Sequence, residues 1–555
     1  MKVVIVGGVA GGMSAATRLR RLNEDAQIVV FERGAHVSFA NCGLPYYAGG
    51  VIDDRDALLL QTPASLAARF ALDVRVRTEV TSIDPAARTV TVRDLTTGAE
   101  TVETYDELIL SPGASPIVPD LPGVERALVL RDVEDVDRLV AALDAQAATK
   151  DAAHVPARTA VIVGAGFIGI ELAENLRRRG LDVTVVELAD QVLGPLDPEM
   201  AAPVADELRA NGVRLELGNE VTAIGADDVT LGDGGTVPAD VVVMAIGVRP
   251  EAALAVAAGI ATGTRGGIAV DESMRTSADH VYAVGDAVEK IDAVSGRSGL
   301  VPLANPANRQ GRLVADVISG LSVRPRPVVG TAIVGAFSLM AAAVGWNEKR
   351  LRADGRPYRA IHTHPQSHAG YYPGAQGMSL KLLVDPETDA ILGAQGVGGE
   401  GVDKRIDVIA TAMVGGITAS ELADLELAYA PQFGSAKDPV NMLGYVADNL
   451  RVGTAATIQW HELSAALDAG ATLVDVRTPA EFAAGSIPGA VNVELDALRS
   501  RAGELPEGEL IVHCHVGQRG HTAARILRQL GREVRNLDGG YRTWAAGAAR
   551  TDALV

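Results

Sequence analysis

Cysteine is scarce in this chain: Cys42 and Cys514 are the two thiols among 555 residues. So few cysteines exclude a disulfide framework and are typical of a protein from a reducing compartment. They also show that thiols do not serve here as general core filler. We therefore interpret Cys42 as a candidate for chemistry, with a small buried hydrophobe as the alternative.

Long apolar runs, aromatic residues and excess positive charge are scarce as well. No run reaches the ~20 apolar residues that a membrane helix requires, and Lys2–Val6 has the pattern of a strand rather than of a signal peptide. The net charge of −20 argues against nucleic acid or an anionic membrane surface as a partner. We expect a cytoplasmic protein without membrane, nucleic-acid or metal partners.

Small and aliphatic residues are abundant instead. The chain has 60 glycines and 48% hydrophobic residues, but only 4% aromatic residues. This composition favours α/β layers over disorder, and the length predicts roughly three to five domains.

The first glycine-rich loop, Gly7-Gly8-Val9-Ala10-Gly11-Gly12, lies between an apolar strand and a helix. A second strand ends at Glu32. Glycines of this spacing let the backbone approach a pyrophosphate at a helix N-terminus, and the acid binds ribose hydroxyls. Val9 takes the place of the second glycine, so an ordinary tight turn is the alternative for this loop alone.

The second loop, Gly164-Ala165-Gly166-Phe167-Ile168-Gly169, is an unbroken fingerprint whose second strand ends at Glu187. A carboxylate there favours a free 2′-hydroxyl and repels a 2′-phosphate, so NADH is expected in preference to NADPH. Two such units predict one fixed and one exchanging dinucleotide.

Cys42 lies in the stretch Ser38-Phe39-Ala40-Asn41-Cys42-Gly43-Leu44-Pro45-Tyr46-Tyr47, directly after the first nucleotide unit. We expect a helix N-terminus here to lower the thiol pKa below about 8.5 and to favour the thiolate. No second cysteine lies nearby, which excludes a Cys-x-x-Cys disulfide as its redox partner. The stretch therefore predicts a redox nucleophile.

Three further strand ends carry small or acidic residues. Ser111-Pro112-Gly113 and the later Ile246-Gly247 end matching strands and are expected to form a hinge between domains. Gly285-Asp286 ends a third strand, where the carboxylate is able to hydrogen-bond a polyol; a plain turn is the alternative.

Residues 1 to about 450 resemble the flavin-dependent pyridine nucleotide-disulfide oxidoreductases. The likeness is to the single-cysteine branch, which contains coenzyme A-disulfide reductases and NADH oxidases or peroxidases. It rests on the Cys42 stretch, both fingerprints, Gly285-Asp286, and the segment from Val301 to Arg312. It implies an FAD domain (1–115 plus 250–325), an NADH domain (116–249) and a dimerisation domain (326–450). The cofactor-binding residues that it implies are Gly7, Gly8, Gly11, Gly12, Glu32, Arg33, Ser111, Gly113, Gly285 and Asp286 for FAD, and Gly164, Gly166, Gly169, Glu187 and Gly247 around NADH.

The same resemblance implies a coenzyme A site shared by two subunits of a homodimer. Tyr371 and Tyr429 match tyrosines that reach the partner's active site and hydrogen-bond or protonate the leaving thiolate. The positions that match coenzyme A ligands are Ser14, Arg18, Arg21, Ser38, Asn41 and Lys437. The stretch from His362 to His368 reads as too polar and turn-rich for a core.

After a short linker at 451–456 a new α/β pattern begins. The strand Leu510–His513 runs into Cys514-His515-Val516-Gly517-Gln518-Arg519-Gly520 and a helix, which forms a cup of backbone N–H groups suited to a thiolate or persulfide. With Asp475, Arg477 and Trp544, residues 457–555 resemble a rhodanese domain. A phosphatase is the alternative, but it requires a longer loop and an acid or base partner.

These patterns predict an α/β protein with two Rossmann-like domains, an α+β dimerisation domain and a C-terminal rhodanese domain. The expected function is NADH-dependent reduction of coenzyme A persulfide, polysulfide or coenzyme A disulfide through FAD and Cys42, with sulfane sulfur on Cys514. An NADH oxidase or peroxidase cycling through Cys42 sulfenic acid is one alternative. A sulfur carrier or redox sensor with little turnover is the other.

Overall fold

The structure, a computed structural model, describes residues 1–145 and 158–551. Parts of the predicted NADH and rhodanese domains, 146–157 and 552–555, lie outside the described residues. The chain forms two compact units. The first contains 1–190 and 212–330, and the second contains 191–211 and 331–551.

The strands of the first unit follow one another closely along the chain. They are β1 Lys2–Val6, β2 Gln27–Phe31, β3 Asp73–Arg75, β4 Thr78–Asp84, β5 Thr89–Asp94, β6 Glu100–Thr104, β7 Glu107–Leu110, β8 Ala114–Pro116, β9 Thr159–Val163 and β10 Asp182–Glu187. The later ones are β11 Arg214–Leu217, β12 Val221–Ile224, β13 Asp228–Leu231, β14 Thr236–Pro238, β15 Val241–Met244, β16 Val248–Pro250, β17 Val281–Ala283, β18 Lys290–Ile291 and β19 Ser298–Gly299.

The helices up to residue 318 are α1 Ala10–Leu22, α2 Leu44–Ala48, α3 Pro63–Phe70, α4 Val133–Ala145, α5 Phe167–Arg178, α6 Pro198–Ala210, α7 Ala253–Ala257 and α8 Ala304–Ile318. All except α6 belong to the first unit, because residues 191–211 group with the second.

Two parallel sheets organise the first unit. One has the order β17-β7-β1-β2-β3, so it joins strands from 1–115 with one from 250–325. Alternate residues of β1 pack into different clusters, Val3 and Ile5 on one face and Val4 and Val6 on the other. Both faces are therefore buried, as the apolar run predicts. The other sheet, β11-β10-β9-β15, holds the second fingerprint.

The second unit contains α6 and a long C-terminal part. Its strands are β20 Ala332–Ala336, β21 Leu339–Gly345, β22 Arg359–Thr363, β23 Met378–Val384, β24 Ile391–Gly398, β25 Thr457–Ile458, β26 Thr472–Asp475, β27 Val491–Asn492, β28 Leu510–His513 and β29 Val534–Leu537. Its remaining helices are α9 Glu348–Ala353, α10 Val402–Gly415, α11 Pro439–Arg451, α12 Leu463–Asp468, α13 Pro479–Ala483, α14 Leu498–Arg501, α15 Gln518–Gln529 and α16 Gly540–Thr551.

Two sheets of different type form the second unit. The antiparallel sheet β20-β21-β24-β23-β22 is followed by the parallel sheet β25-β29-β28-β26-β27. β28 is flanked by β26 and β29, so its carboxyl end opens at the middle of the parallel sheet. That is where ligands meet parallel sheets, and Cys514 follows there.

Across the described ranges, no helix combines the length and the apolar character that crossing a bilayer requires.

Candidate functional site

The two fingerprint loops have nearly the same backbone. Gly7 and Gly164 have φ values of 100° and 107°, which residues other than glycine rarely adopt. A Cβ at Gly12 would collide with the carbonyl of Gly7, and one at Gly169 with that of Gly164. These glycines therefore hold each loop against its helix.

The acid that ends each second strand closes its loop in the same way. Glu32 accepts hydrogen bonds from the backbone N–H groups of Gly8 and Gly34, both at 2.8 Å. Glu187 accepts them from Ala165 at 2.7 Å and Ala189 at 2.9 Å. Both carboxylates thus lie beside the glycine turn, where a ribose would lie, and no arginine follows Glu187 at once in the chain.

The predicted hinge is a pair of short antiparallel strands. β8 pairs with β16, and Gly113 (φ 77°) and Gly247 (φ 112°) precede the two strands. Ser111 donates its N–H to the carbonyl of Val6 at 2.8 Å, so the end of β7 lies beside the first fingerprint. Arg33 lies 3.9 Å from Glu251, just beyond β16.

The buried carboxylate of Asp286 has surroundings that fit a flavin site. It lies in the 3-10 turn Gly285–Ala287, and its Oδ1 is buried without a hydrogen-bond partner among the described residues. Burial raises the pKa of this carboxyl, against the opposing charges of Lys290 and Arg131. Buried hydrogen-bond acceptors that lack a donor are rare in native proteins. A polyol hydroxyl such as those of the FAD ribityl chain supplies the missing donor, so these residues fit FAD.

Cys42 lies in the 3-10 turn Asn41–Gly43 and is exposed. Its Sγ is 3.8 Å from Asn41 Oδ1. The expected low pKa is wrong: partial burial and the charges of Glu171 and Asp286 raise the pKa of the Cys42 thiol. The helix that follows, α2, is only five residues long, so its dipole does not outweigh two carboxylates.

A Tyr–Glu pair beside Cys42 escaped the sequence analysis. Tyr46 donates its hydroxyl hydrogen bond to Glu171 Oε1 at 3.2 Å. Burial and the Glu171 charge raise the pKa of Tyr46 to about 12. Glu171 follows the second fingerprint by two residues, but its proximity to Cys42 depends on folding and not on spacing.

The residues of the first unit that match coenzyme A ligands contact different neighbours. Ser14 Oγ donates to Asn308 Oδ1 at 2.6 Å, Arg18 pairs with Asp316 at 2.7 Å, and Arg21 lies over the ring of Phe70. Ser14, Arg18 and Arg21 share one face of α1, since they are four and three residues apart.

Two more of these positions, Ser38 and Asn41, belong to the Cys42 stretch. Ser38 has a positive φ of 48° and donates its N–H to the carbonyl of Gly8 at 2.8 Å. Asn41 is exposed beside Cys42.

Lys437 and the two tyrosines belong to the second unit. Lys437 is exposed and precedes Asp438, the N-cap of α11. The hydroxyls of Tyr371 and Tyr429 lie 2.9 Å apart, and both side chains are exposed, at 76% and 48%. The structure therefore brings the two tyrosines together on an open surface.

Part of the polar stretch that begins at His362 is buried, which contradicts its prediction as too polar for a core: His362, Ser367 and His368 are buried, whereas Gln366 is exposed. His362 Nδ1 lies 2.7 Å from Asp538 and Nε2 lies 3.0 Å from Glu199. Although burial alone would lower the pKa of His362, these carboxylates raise it to about 9. His362 thus carries its charge between two acids that are distant in sequence.

Glu199 also belongs to a buried group of three carboxylates, with Asp197 and Glu348. The ammonium of Lys381 lies 2.9 Å from Asp197, 2.6 Å from Glu348, and in contact with Glu199. The lysine of β23 therefore offsets one of the three negative charges, and Arg352 and His362 lie against Glu348 and Glu199.

Cys514 lies where the sequence places it, between β28 and α15, but it is almost fully buried at 1% exposure. Its carbonyl accepts a hydrogen bond from the N–H of Tyr541 at 2.8 Å. Gly517, with φ 89°, turns the loop into α15, and His515 stacks on Tyr541. The remaining predicted loop residues follow in order, with Gln518 exposed, Val516 and Arg519 partly buried, and Gly520 packed against Asn536.

Glu481 is a site residue that was not predicted from the sequence. Arg519 donates to both of its carboxylate oxygens, at 2.8 and 2.6 Å. These hydrogen bonds hold the pKa of Glu481 at about 2.

Comparison with known protein families covers most of the chain. Residues 1–311 match the family described as pyridine nucleotide-disulphide oxidoreductase, and residues 331–439 match the dimerisation domain of that family. Residues 459–547 match the rhodanese-like domain.

Individual proteins are also similar to this chain. A coenzyme A disulfide reductase of Staphylococcus aureus is 34% identical over 80% of this chain and 99% of its own length. The solved structure of reduced CoADR-RHD from Bacillus anthracis is 46% identical, with a TM-score of 0.96 and coverage of 99% of this chain and 98% of that one. An NAD-dependent persulfide reductase from A. fulgidus is 37% identical, with a TM-score of 0.90 and coverage of 98% and 100%. This chain belongs to the pyridine nucleotide-disulphide oxidoreductase family, among the coenzyme A disulfide reductases, and it carries a C-terminal rhodanese-like domain.

Proposed function

We propose that the protein is an NADH-dependent flavoprotein that reduces the S–S bond of coenzyme A persulfide, polysulfide or coenzyme A disulfide through Cys42. Cys514 carries sulfane sulfur in the rhodanese-like domain. One observation carries the assignment: the exposed Cys42 thiol lies within the electrostatic reach of Asp286, whose unpartnered buried oxygen marks the flavin site. A thiol beside a flavin suits two-electron S–S chemistry.

FAD and NADH supply the electron pair when bound. For a persulfide substrate, coenzyme A persulfide, NADH and a proton give coenzyme A, hydrogen sulfide and NAD⁺. The first fingerprint, with Gly7, Gly8, Gly11, Gly12, Glu32 and Arg33, holds FAD together with Ser111, Gly113, Gly285 and Asp286. Gly164, Gly166, Gly169, Glu187 and Gly247 receive NADH.

The protein groups around the S–S bond divide the work. Cys42 forms the mixed disulfide with the substrate, and Tyr371 and Tyr429 donate a hydrogen bond or a proton to the thiolate that leaves. Ser14, Arg18, Arg21, Ser38, Asn41 and Lys437 bind coenzyme A. The pairing of Arg18 with Asp316 leaves Arg21 and Lys437 as the more available cations for its phosphates.

A homodimer is the functional form in this proposal. The match to the dimerisation domain and the exposed tyrosine pair support it. Two free cysteines support a reducing, cytoplasmic location in this proposal. The domain boundaries we propose are 1–115 with 250–325 for FAD, 116–249 for NADH, 326–450 for dimerisation, 451–456 for the linker, and 457–555 for rhodanese.

Two matched serine variants test the assignment. Cys42→Ser should abolish NADH-dependent reduction of coenzyme A persulfide and coenzyme A disulfide, and sulfur transfer from thiosulfate to cyanide should survive. Cys514→Ser should abolish the transfer and leave the reduction largely intact. Rapid reduction of disulfide by Cys42→Ser, or loss of every activity in both variants, would contradict the division of roles.

An NADH oxidase or peroxidase, the alternative function, would differ from the proposed reductase in its substrate. A water-forming NADH oxidase from Lactobacillus brevis is 26% identical, with a TM-score of 0.76 over 82% of this chain and 99% of its own. The proposal predicts slower NADH oxidation with oxygen or hydrogen peroxide than with coenzyme A persulfide at equal concentration.

A further inference from the structure

The Cys514 loop is surrounded by three guanidinium groups, those of Arg477, Arg519 and Arg542. Burial lowers the pKa of His515, the residue after Cys514, and the charges of these three arginines lower it further. All three therefore lie within electrostatic reach of the same imidazole. The question is which of the three positive charges is available to a substrate.

Two of the three are already committed to carboxylates. Arg519 makes its two hydrogen bonds to Glu481. Arg477 is buried and donates to both oxygens of Asp475, from Nε at 3.0 Å and from Nη2 at 2.6 Å. A bidentate pair occupies two donors of each guanidinium and offsets its charge. Arg519 has one further partner, the Cys514 thiol itself, and so faces the nucleophile rather than the far end of a donor.

Arg542 differs from both. In the described ranges, its guanidinium makes no ion pair and no hydrogen bond, and the side chain is exposed. Its position is nevertheless fixed, because its backbone N–H donates to the carbonyl of His515 at 3.0 Å. The N–H of Tyr541, one residue earlier, holds the carbonyl of Cys514. The first turn of α16 thus ties an unpaired cation to the loop that carries the thiol.

We propose that Arg542 is a specificity-determining residue of the Cys514 site and binds the oxyanion of an anionic sulfane-sulfur donor. This inference rests on the proposed role of Cys514 as a sulfur carrier. With thiosulfate, the Cys514 thiolate attacks the outer sulfur and forms a new S–S bond. The S–S bond of thiosulfate breaks, and sulfite leaves with the electron pair. The two reactant anions, CysS⁻ and S₂O₃²⁻, become CysSS⁻ and SO₃²⁻, so charge and atoms balance. Arg542 would hold the sulfonate end through binding and departure.

The test compares two donors on the full-length protein, with cyanide as the sulfur acceptor. Thiosulfate carries an oxyanion, whereas 2-hydroxyethyl persulfide does not. Arg542→Met should raise the KM for thiosulfate about tenfold or more and leave kcat/KM for 2-hydroxyethyl persulfide within about twofold. Arg542→Lys should recover part of the loss. Arg499→Met, which removes an exposed arginine of α14 in the same domain, should change neither value.

Equal losses for both donors would overturn the inference, because they would indicate a general structural defect; unchanged kinetics with thiosulfate, 2-hydroxyethyl persulfide and coenzyme A persulfide alike would overturn it as well. The same kinetics measured with coenzyme A persulfide as donor show which oxyanion Arg542 binds. If Arg542→Met loses activity with this donor and keeps it with thiosulfate, Arg542 binds a phosphate of coenzyme A.

A binding measurement keeps this inference separate from the role of Cys514. Thiosulfate is titrated calorimetrically into Cys514→Ser, which cannot accept sulfur, and into Cys514→Ser with Arg542→Met. A tenfold weaker affinity in the double variant supports the oxyanion site even if the native protein transfers no sulfur, in which case the carrier role of Cys514 fails. Equal affinities overturn the site.

Discussion

At the scale of single residues, the charge around Cys42 has the opposite sign to that expected from the sequence. Partial burial and the carboxylate charges of Glu171 and Asp286 raise the pKa of the Cys42 thiol. A nucleophile with a raised pKa reacts slowly until something nearby compensates the negative charge. Tyr46, whose hydroxyl donates to Glu171, favours the ionised form of that carboxylate and so keeps the negative charge in place.

Replacing Glu171 by glutamine should therefore lower the pKa of Cys42. Removing one charge at this range should shift the pKa down by about half a unit to one unit. The measurement is the rate of Cys42 alkylation against pH, followed by peptide mass spectrometry so that Cys514 does not interfere. Glu24→Gln, at an exposed position, should leave the profile in place; an unchanged profile for Glu171→Gln would remove Glu171 as a cause.

At the scale of elements, different glycines of one fingerprint serve different purposes. A Cβ at Gly169 meets the backbone of the same turn, whereas a Cβ at Gly166 meets no atom within 4 Å. Gly169 is needed for the helix to pack, and Gly166 leaves space at the surface for a pyrophosphate.

Gly169→Ala and Gly166→Ala should therefore fail in different ways. Gly169→Ala should destabilise the first unit by about 1–3 kcal/mol, because the backbone must move to admit the methyl group. Gly166→Ala should leave the apparent Tm unchanged and raise the KM for NADH. Differential scanning calorimetry and NADH titration measure the two effects; a Gly166→Ala variant that loses stability and keeps its KM would contradict this assignment.

The buried His362 gives the second unit a dependence on pH. Its pKa is raised to about 9 in the folded chain from an ordinary value near 6.5. The stabilisation is therefore fully present below about pH 6.5 and is lost as the pH rises through 9. Removing the imidazole leaves Asp538 without this cation, whereas Glu199 keeps the ammonium of Lys381.

We expect the apparent Tm of the native protein to fall between pH 7 and pH 10 by more than that of His362→Asn. The corresponding difference in unfolding free energy is on the order of 1–3 kcal/mol. His461→Asn, which removes an exposed histidine, should follow the native curve. If native and His362→Asn curves run parallel across this range, His362 is not charged in the folded protein.

Local elements were predictable because their causes are local. A strand, a glycine turn, a helix and an acid within about thirty residues fix the loops of Gly7 and Gly164, and a strand end followed by a helix fixes that of Cys514. The burial of His362 was not predictable, since Glu199 and Asp538 lie far away in sequence. The raised pKa of Cys42 escaped for the same reason, because Glu171 comes from a different sheet-and-helix unit.

At the scale of the whole molecule, the residues assigned to S–S reduction are divided between the two compact units. Cys42 belongs to the first, whereas Tyr371, Tyr429 and Lys437 belong to the second. If the tyrosines act on the partner's thiol, each reduction site of the proposed homodimer requires two chains.

Mixed dimers provide the test. Cys42→Ser dimers should be inactive in coenzyme A disulfide reduction, and Tyr371→Phe/Tyr429→Phe dimers should be strongly impaired. Co-expression of the two variants, with purification of the mixed dimer by two different tags, should restore about half of the native activity, because one intact site forms in each dimer. A mixed dimer no more active than the tyrosine variant would show that each tyrosine pair serves its own chain.

Helix α6 is synthesised well before the residues that its acids contact. Its Glu199 and the preceding Asp197 leave the ribosome well before Lys381 and His362, and Asp538 follows later still. At the usual 5–20 residues per second this interval lasts on the order of tens of seconds. During it the acids have no cation to meet, so α6 stays hydrated while earlier sheets close. A ribosome stalled before His362 and Lys381 have emerged would thus carry a nascent chain in which Glu199 and Asp197 lack these cations, with this helix within reach of chaperones and proteases.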